Sequence, residues 1–141
     1  PVARHYSGHG AHQARDPKDT CAGAGTARDY AAKDSQDAID TYRAIVEARK
    51  AAFERSRMPV VFHSIEDLIE RSSALIGSPQ QIIEKVQRYH EKMGHEVLSI
   101  NSDSTGLTPA QHRASLELFQ SDIAPVLRKA IPSRPFAPAV G

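Results

Sequence analysis

Apolar residues recur at intervals of three and four through most of this chain, and Gly and Pro interrupt the pattern at intervals. Such spacing places apolar side chains on one face of a helix, whereas a short apolar run between two helices is typical of a buried strand. Residues 97–100, with the sequence Val-Leu-Ser-Ile, form a run of this second kind. The pattern therefore predicts a helix-rich α/β protein.

The predicted helices carry start and stop signals of their own. Ser78 and Thr108 are each followed by Pro and, three positions on, by Gln81 and Gln111, which predicts a capping box at both places. Pro125 lies inside the last helix and is expected to kink it, because proline removes one backbone hydrogen bond. The predicted helices cover residues 34–55, 64–74, 78–93 and 108–131.

Two strands are predicted, over residues 26–32 and 96–101. Ligands of parallel α/β folds lie where such strands end, so the polar residues there are candidate hydrogen-bonding groups for a ligand. An alternative is that Ser and Asn merely end the strand and turn the chain. Arg28 on the first strand is a candidate for binding an anion, although a surface ion pair explains it equally well. The candidates at the second strand are Ser99, Asn101, Ser102 and Ser104.

A resemblance to a known family extends over more than fifty residues. Its pieces are ALIGSPQQIIEK at residues 74–85, His90, Gly94, GL at 106–107, SLELF at 115–119 and APVLR at 124–128. In order, spacing and residue type together, this set resembles the C-terminal end of bacterial luciferase-like, flavin-dependent monooxygenases. The segment AKDSQDA at residues 32–38 resembles a further motif of that family.

The resemblance implies the C-terminal fragment of a TIM (β/α)8 barrel, with its last two strands, an insertion region and its last two helices. Residues 28–131 would be this portion, with 34–73 as the insertion and 77–131 as the helix-strand-helix that closes the barrel. Residues 1–27 are expected to be a loop or poorly ordered, and 132–141 a flexible tail. Because a complete barrel needs roughly 250 residues, the 141 present are expected to belong to a longer protein.

The resemblance also implies a chemistry. Reduced FMN, supplied by a separate flavin reductase, would react with O₂ and oxidise a small organic substrate, and a deazaflavin in place of FMN stays open. Arg28, Ser99, Asn101 and Ser102 are the residues expected to contact the cofactor. No catalytic residue is identified, and the chain by itself is expected to be inactive. The competing hypothesis is a non-enzymatic α/β module for interaction or oligomerisation; open strand edges favour a homo-oligomer such as a dimer in either case.

The amino-acid composition limits the kinds of binding partner that the chain can be expected to have. Lys and Arg number 18 against 17 Asp and Glu, so the chain has no field that would attract nucleic acid or an anionic membrane. A single cysteine, Cys21, excludes an internal disulfide and suits a reducing compartment. No apolar run approaches the roughly 20 residues of a membrane span. A cytoplasmic protein is therefore expected.

The first part of the chain holds three histidines at helical spacing, His5, His9 and His12. Imidazoles so spaced could bind Zn²⁺ or another soft cation. Gly8 and Gly10 disfavour a helix there, so a solvated loop without metal is the preferred interpretation.

Overall fold

The computed structural model describes residues 24–95, 97–101 and 104–133. Within these residues, three strands alternate with five α-helices. The strands are β1 (Ala24–Ala31), β2 (Leu75–Gly77) and β3 (Val97–Asn101). The helices are α1 (Ser35–Arg55), α2 (Ile65–Arg71), α3 (Pro79–Met93), α4 (Pro109–Leu118) and α5 (Ala124–Ala130), and one π-helical turn, Phe119–Ile123, joins the last two. The α/β class is confirmed.

The predicted helix starts are confirmed by their caps. Both capping boxes form, with the side chains of Ser78 and Thr108 accepting from the backbone amides of Gln81 and Gln111. Asp34 caps α1, and its carboxylate accepts from two amides of the first turn. Each cap replaces hydrogen bonds that the first turn of a helix cannot make internally. Local sequence is sufficient to place these starts.

Helix α2 ends earlier than predicted, because Ser72 already has an extended backbone and the chain continues into β2. The prediction of two strands is therefore wrong. Gly77 ends β2 with φ of 150°, and a Cβ at this position would collide with the side chain of Gln81 that completes the capping box. Only glycine is compatible with both the turn and the box. A strand of three residues is too short to be distinguished in the sequence from the approach to α3.

The sheet is parallel and has the order β2-β1-β3. The first half of β1 pairs with β3, from Ala24 opposite Val97 to Arg28 opposite Asn101. Its second half pairs with β2, from Asp29 opposite Leu75 to Ala31 opposite Gly77. The middle strand therefore has a different neighbour along each half of its length, and the carboxyl end of β1 extends beyond that of β3.

Helices cover both faces of this sheet, which gives three layers. Tyr30 and Ile76 project to one face and pack with the buried residues of α1 and α2. Ala31 and Leu75 project to the other face and pack with α3 and with Ile123 of the π-helical turn. Because side chains alternate along a strand, neighbouring residues of β1 belong to different cores.

This arrangement shares one feature with a barrel and differs from it in two. β1 and β3, expected to be barrel strands seven and eight, pair side by side in parallel. However, β2 pairs with the other edge of β1, where the sixth strand of a barrel would lie. Helices also pack on both faces here, whereas those of a TIM barrel form one outer ring. Residues 34–73, expected to be an insertion, contribute α1 and α2 to a core.

The last helix is interrupted close to Pro125, the residue expected to disturb it. The disturbance takes the form of the π-helical turn, in which the amide of Ala124 bonds to the carbonyl of Phe119. Pro125 has no amide proton for the next bond of an α-helix, and a wider turn before it accommodates that loss. Ile123, at the end of this turn, is fully buried.

One lysine ties α2 and β2 to α3. The ammonium of Lys85 donates to the carbonyls of Ile69 at 2.6 Å, Ser72 at 3.1 Å and Ala74 at 2.6 Å. The hydroxyl of Tyr89 donates to the Ser72 carbonyl at 2.9 Å. These contacts satisfy carbonyls that the end of α2 leaves without helical partners. We call this set, Lys85 and Tyr89 with the three carbonyls, the Lys85 junction.

Several predicted features lie outside the described residues. They are the three N-terminal histidines His5, His9 and His12, the cysteine Cys21, the candidate residue Ser102 and residues 134–141. Across the part of the chain that is described, none of the helices combines the length and the apolar composition that crossing a membrane needs.

Candidate functional site

The carboxyl ends of the three parallel strands lie along one edge of the sheet, and the loops that follow them lead into α1, α3 and α4. In open parallel sheets, ligands bind at this edge, between strands whose connections leave to opposite faces. β1 and β3 are such a pair, because α1 packs on one face and α4 on the other. The crevice between the ends of these two strands is the candidate site.

Two of the predicted site residues, Arg28 and Asn101, are register partners at this end of the sheet. Arg28 of β1 lies directly opposite Asn101 of β3, and Ser99 lies two residues before Asn101 on the same strand. Ser99 pairs with Thr26, two residues before Arg28, so Arg28 and Ser99 project to the same face of the sheet. The side chains of Arg28 and Ser99 are exposed to solvent. The sheet thus brings together residues that are far apart in sequence.

The helix N-termini at this edge are already occupied by side chains. Asp34 accepts from Gln36 and Asp37 at 2.9 and 3.1 Å, and the two capping boxes close the starts of α3 and α4. The hydroxyl of Ser35 also donates to Gln81 at 2.7 Å, which links the first two loops. A helix N-terminus attracts phosphate through free amides. An anion at this edge therefore depends on a side chain such as Arg28.

The loop before α4 lies beside an open depression of about 370 Å³ against α1. The backbone carbonyl of Ser104 accepts a hydrogen bond from the amide of Leu107 at 2.9 Å, which closes a turn around Gly106. Gly106 has φ of 87°, and a Cβ there would lie 2.9 Å from Ile45. The close approach of loop and helix thus requires glycine. Thr41, Ala44, Ile45, Ala48, Gly106 and Gln111 line the depression.

A carboxyl group that sequence reasoning missed lies at the end of β1. Asp29 is only 8% exposed, and its Oδ1 is buried without a hydrogen-bond partner among the described residues. Burial raises the pKa of this carboxyl to about 6, against the opposing effect of the charge on His112. Removing a carboxylate from water without supplying donors favours its neutral form. Asp29 therefore changes protonation near neutral pH rather than near pH 4.

Helix α4 packs on β1 where β3 has already ended, and the charge of its His112 acts on Asp29. Ser115, which is 3% exposed, accepts a hydrogen bond from the backbone amide of Ala31 at 2.8 Å. The amide of Ala31 lies beyond the last residue pair of β1 and β3, so this hydroxyl satisfies it in place of a strand. His112 lies one turn earlier on α4. We call Asp29, Ala31, His112 and Ser115 the α4 junction.

The α4 junction combines a carboxyl, an imidazole and a hydroxyl, but its geometry does not suit a nucleophilic triad. Ser115 is buried and its oxygen is engaged by the Ala31 amide, whereas an activated nucleophile needs access to substrate and a base in hydrogen-bond contact. A proton bound or released by Asp29 is the chemistry that this arrangement supports. The sequence shows Asp29 only as one polar residue in a weak strand, because its partners are distant along the chain.

Two further histidines contact each other at the end of α3. His90 Nδ1 lies 2.7 Å from the carbonyl of His95, and the two rings stand edge to face with centroids 5.7 Å apart. A carbonyl can only accept, so this nitrogen of His90 carries the proton. Burial lowers the pKa of His95. Among the described residues, no three His, Cys, Asp or Glu side chains are grouped as metal ligands would be.

Comparison with known proteins adds no relative: no protein-family model matches this chain, and no curated protein matches it significantly.

Proposed function

We propose that this chain forms part of a flavin-dependent, luciferase-like monooxygenase that oxidises a small organic substrate with O₂ and reduced FMN. The motifs at residues 74–85 and 106–128 suggest the family. The single structural observation that supports the proposal is the register of β1 and β3, which places Arg28 opposite Asn101 at the carboxyl edge of a parallel sheet. That edge is where both barrels and open parallel sheets bind cofactors.

In this proposal the flavin carries the oxygen chemistry and the protein binds it and excludes water. Arg28 is assigned to the cofactor phosphate, because the helix N-termini nearby are capped by their own side chains. Ser99, Asn101 and Ser102 are assigned to the polar edge of the ring or to the substrate. A separate flavin reductase would supply the reduced cofactor, and a deazaflavin is the alternative cofactor.

A barrel of the kind that the family implies would require a different neighbour for β1 than the sheet now provides. β1 and β3 would be its last two strands, and a sixth strand would need the edge of β1 that β2 now occupies. That pairing involves only three residue pairs, from Asp29 to Ala31. In the parent protein, β2 would therefore leave this edge. Residues 1–141 alone would lack the remaining strands and would not turn over substrate.

Flavin binding tests the proposal directly. Reduced FMN is titrated anaerobically into the 141-residue chain, and binding is followed by calorimetry. Saturable one-to-one binding that Arg28→Ala weakens about tenfold, the loss expected for one charge-assisted contact, supports the assignment. Arg128→Ala, at an exposed position of α5, is the matched control and should leave affinity unchanged. Equal weakening by both variants would exclude a specific role for Arg28. A parallel titration with reduced deazaflavin distinguishes the two cofactors.

Turnover provides a separate test. With a flavin reductase added, residues 1–141 should release hydrogen peroxide without oxidising substrate, because in this proposal the rest of the barrel would supply the surface that shields a peroxyflavin from water. Substrate-dependent NAD(P)H consumption without peroxide release would show that the chain is a complete enzyme.

A second function, that of a non-catalytic interaction module, is favoured by a different observation. β3 is an edge strand, and its first residue, Val97, is 41% exposed. An open edge with an apolar residue invites pairing with a second chain. Light scattering coupled to size exclusion distinguishes the two functions. A stable dimer that binds no flavin, and that Val97→Lys converts to monomer, would favour the module.

A further inference from the structure

The α4 junction lies where α4 packs on the carboxyl end of β1. It contains one polar group with a hydrogen-bond partner, the Ala31 amide, and one without, Oδ1 of Asp29. The Ala31 amide has its acceptor in Ser115, whereas Oδ1 of Asp29 is buried and has no donor among the residues that the structure describes. Burial favours the neutral form of this carboxyl, because ionisation would place negative charge on an Oδ1 that has no hydrogen-bond donor, and the hydrogen bond from the backbone of Asp29 offsets this cost only in part.

We propose that Asp29 and His112 form a proton-controlled switch that determines whether α4 stays seated over the crevice between β1 and β3. With Asp29 neutral, α4 is seated and its Ser115 covers the Ala31 amide. With Asp29 ionised, hydration of the carboxylate favours a state in which α4 moves away. The proposal is independent of flavin binding and rests on the packing of α4.

The charged side chains around Asp29 support Asp29 as the single group whose protonation controls the position of α4. His112 of α4 is the charged neighbour that acts on the carboxyl, and its positive charge opposes protonation of Asp29. Arg28 precedes Asp29 and projects to the other face of the sheet. The hydrophobic cluster on this face includes Leu75, Ile82, Ile83, Val86, Leu98 and Ile100.

The direction of the pH effect follows from linkage. The seated state holds the Asp29 proton with a pKa of about 6, whereas an exposed aspartate has a value of 3.8. The seated state therefore binds more protons between these values, so rising pH favours opening. Between about pH 4.5 and 7.5 the opening equilibrium is expected to increase by about twentyfold. Above that range the equilibrium changes little.

Hydrogen exchange at the Ala31 amide tests the proposal, because this proton is protected by the Ser115 hydroxyl. After correction for intrinsic exchange, its protection factor should fall about twentyfold from about pH 4.5 to 7.5. In Asp29→Asn the protection should be independent of pH. Asp37→Asn, an exposed aspartate in the first turn of α1, is the matched control and should retain the wild-type pH dependence.

Two results would overturn the proposal: wild-type protection that does not change with pH, or an unchanged pH dependence in Asp29→Asn. His112→Gln should move the change in protection to higher pH, since it removes the charge that lowers the Asp29 pKa. If the variants do not fold, a carbon-13 titration of the Asp29 carboxyl in the wild-type chain replaces them. A midpoint near the ordinary value of 3.8 would then refute the switch.

Discussion

The Lys85 junction and the α4 junction each hold one ionisable side chain away from bulk water, Lys85 in part and Asp29 almost completely, and they treat the charge in opposite ways. Lys85 donates to three carbonyls within 3.1 Å, whereas one oxygen of Asp29 has no donor within the described part of the chain. A buried charge with partners stabilises the structure around it, and one without partners is expected to give up its charge. The first junction is therefore a structural tie, and the second is a titrating group.

The contrast extends to the peptide groups involved. The Lys85 junction satisfies carbonyls where α2 ends and β2 begins, so it holds a segment with little regular hydrogen bonding of its own. The α4 junction satisfies one amide beyond the end of β3. Loss of either contact should be felt locally, but a cation with three bonds should matter more than a single neutral bond.

The largest effect is expected for Lys85→Met, which keeps the apolar stem and removes the ammonium. Carbonyls of Ile69, Ser72 and Ala74 would lose a donor, and the free energy of unfolding should fall by about 3 kcal/mol. Urea unfolding followed by circular dichroism measures the change. Lys92→Met, at an exposed position on the same helix, is the control. Equal stability of the two variants would contradict the assigned role of Lys85.

The next largest effect is an increase in the free energy of unfolding, which is expected for Asp29→Asn at neutral pH. Because the folded pKa of Asp29 is raised to about 6, its contribution to stability is present below about pH 4 and is lost as pH rises through 6. An amide cannot ionise, so at about pH 7.5 the variant should be more stable by roughly 1 to 2 kcal/mol, allowing for partial solvent screening. Near pH 4 this advantage should vanish. Urea unfolding at about pH 4 and pH 7.5 measures whether the variant is stabilised at each pH. Equal stabilisation at the two pH values would argue against ionisation of Asp29 as the cause.

A smaller loss is expected for Ser115→Ala. The Ala31 amide would be left without an acceptor in a buried position, which should cost about 1 kcal/mol at any pH. Thermal unfolding at two pH values measures this loss. Ser121→Ala, which affects only an exposed hydroxyl, serves as the comparison. A loss in Ser115→Ala that appeared only above pH 6 would mean that the hydroxyl interacts mainly with the Asp29 carboxylate.

The smallest effect is expected for a charge pair in water. Arg43 donates to Glu66 at 2.7 Å between α1 and α2, and both side chains are exposed. The Arg43 guanidinium lowers the pKa of Glu66, so the stabilisation that it provides is lost as pH falls through the folded value. Glu66→Gln should shift the unfolding midpoint only slightly, and the shift should disappear in about 1 M salt, where exposed charges are screened. A large loss of stability that does not depend on salt would show that burial does not explain why Lys85, Asp29 and the Arg43–Glu66 pair differ in their effects on stability.

Much of the fold could be predicted from the sequence because its signals are local. The capping boxes at Ser78 and Thr108 and the cap at Asp34 lie within a few residues of the groups they satisfy, so the helix starts were correct. The strand at Val97–Asn101 follows from its composition, and the placement of Arg28 on a strand was also correct. The three-residue β2 was missed, because so short a strand exists only through its pairing with β1.

The sequence by itself determined where the helices begin, that the protein is of the α/β class, and approximately where two of the three described strands lie. Only the tertiary structure decided that β1 lies in the middle of the sheet, that helices cover both faces, and that Lys85 meets three carbonyls while Oδ1 of Asp29 meets no donor among the described residues. The physical reason is one of range. Caps and turns depend on residues a few positions apart, whereas strand order and the solvation of a buried charge depend on atoms that only the folded chain brings together.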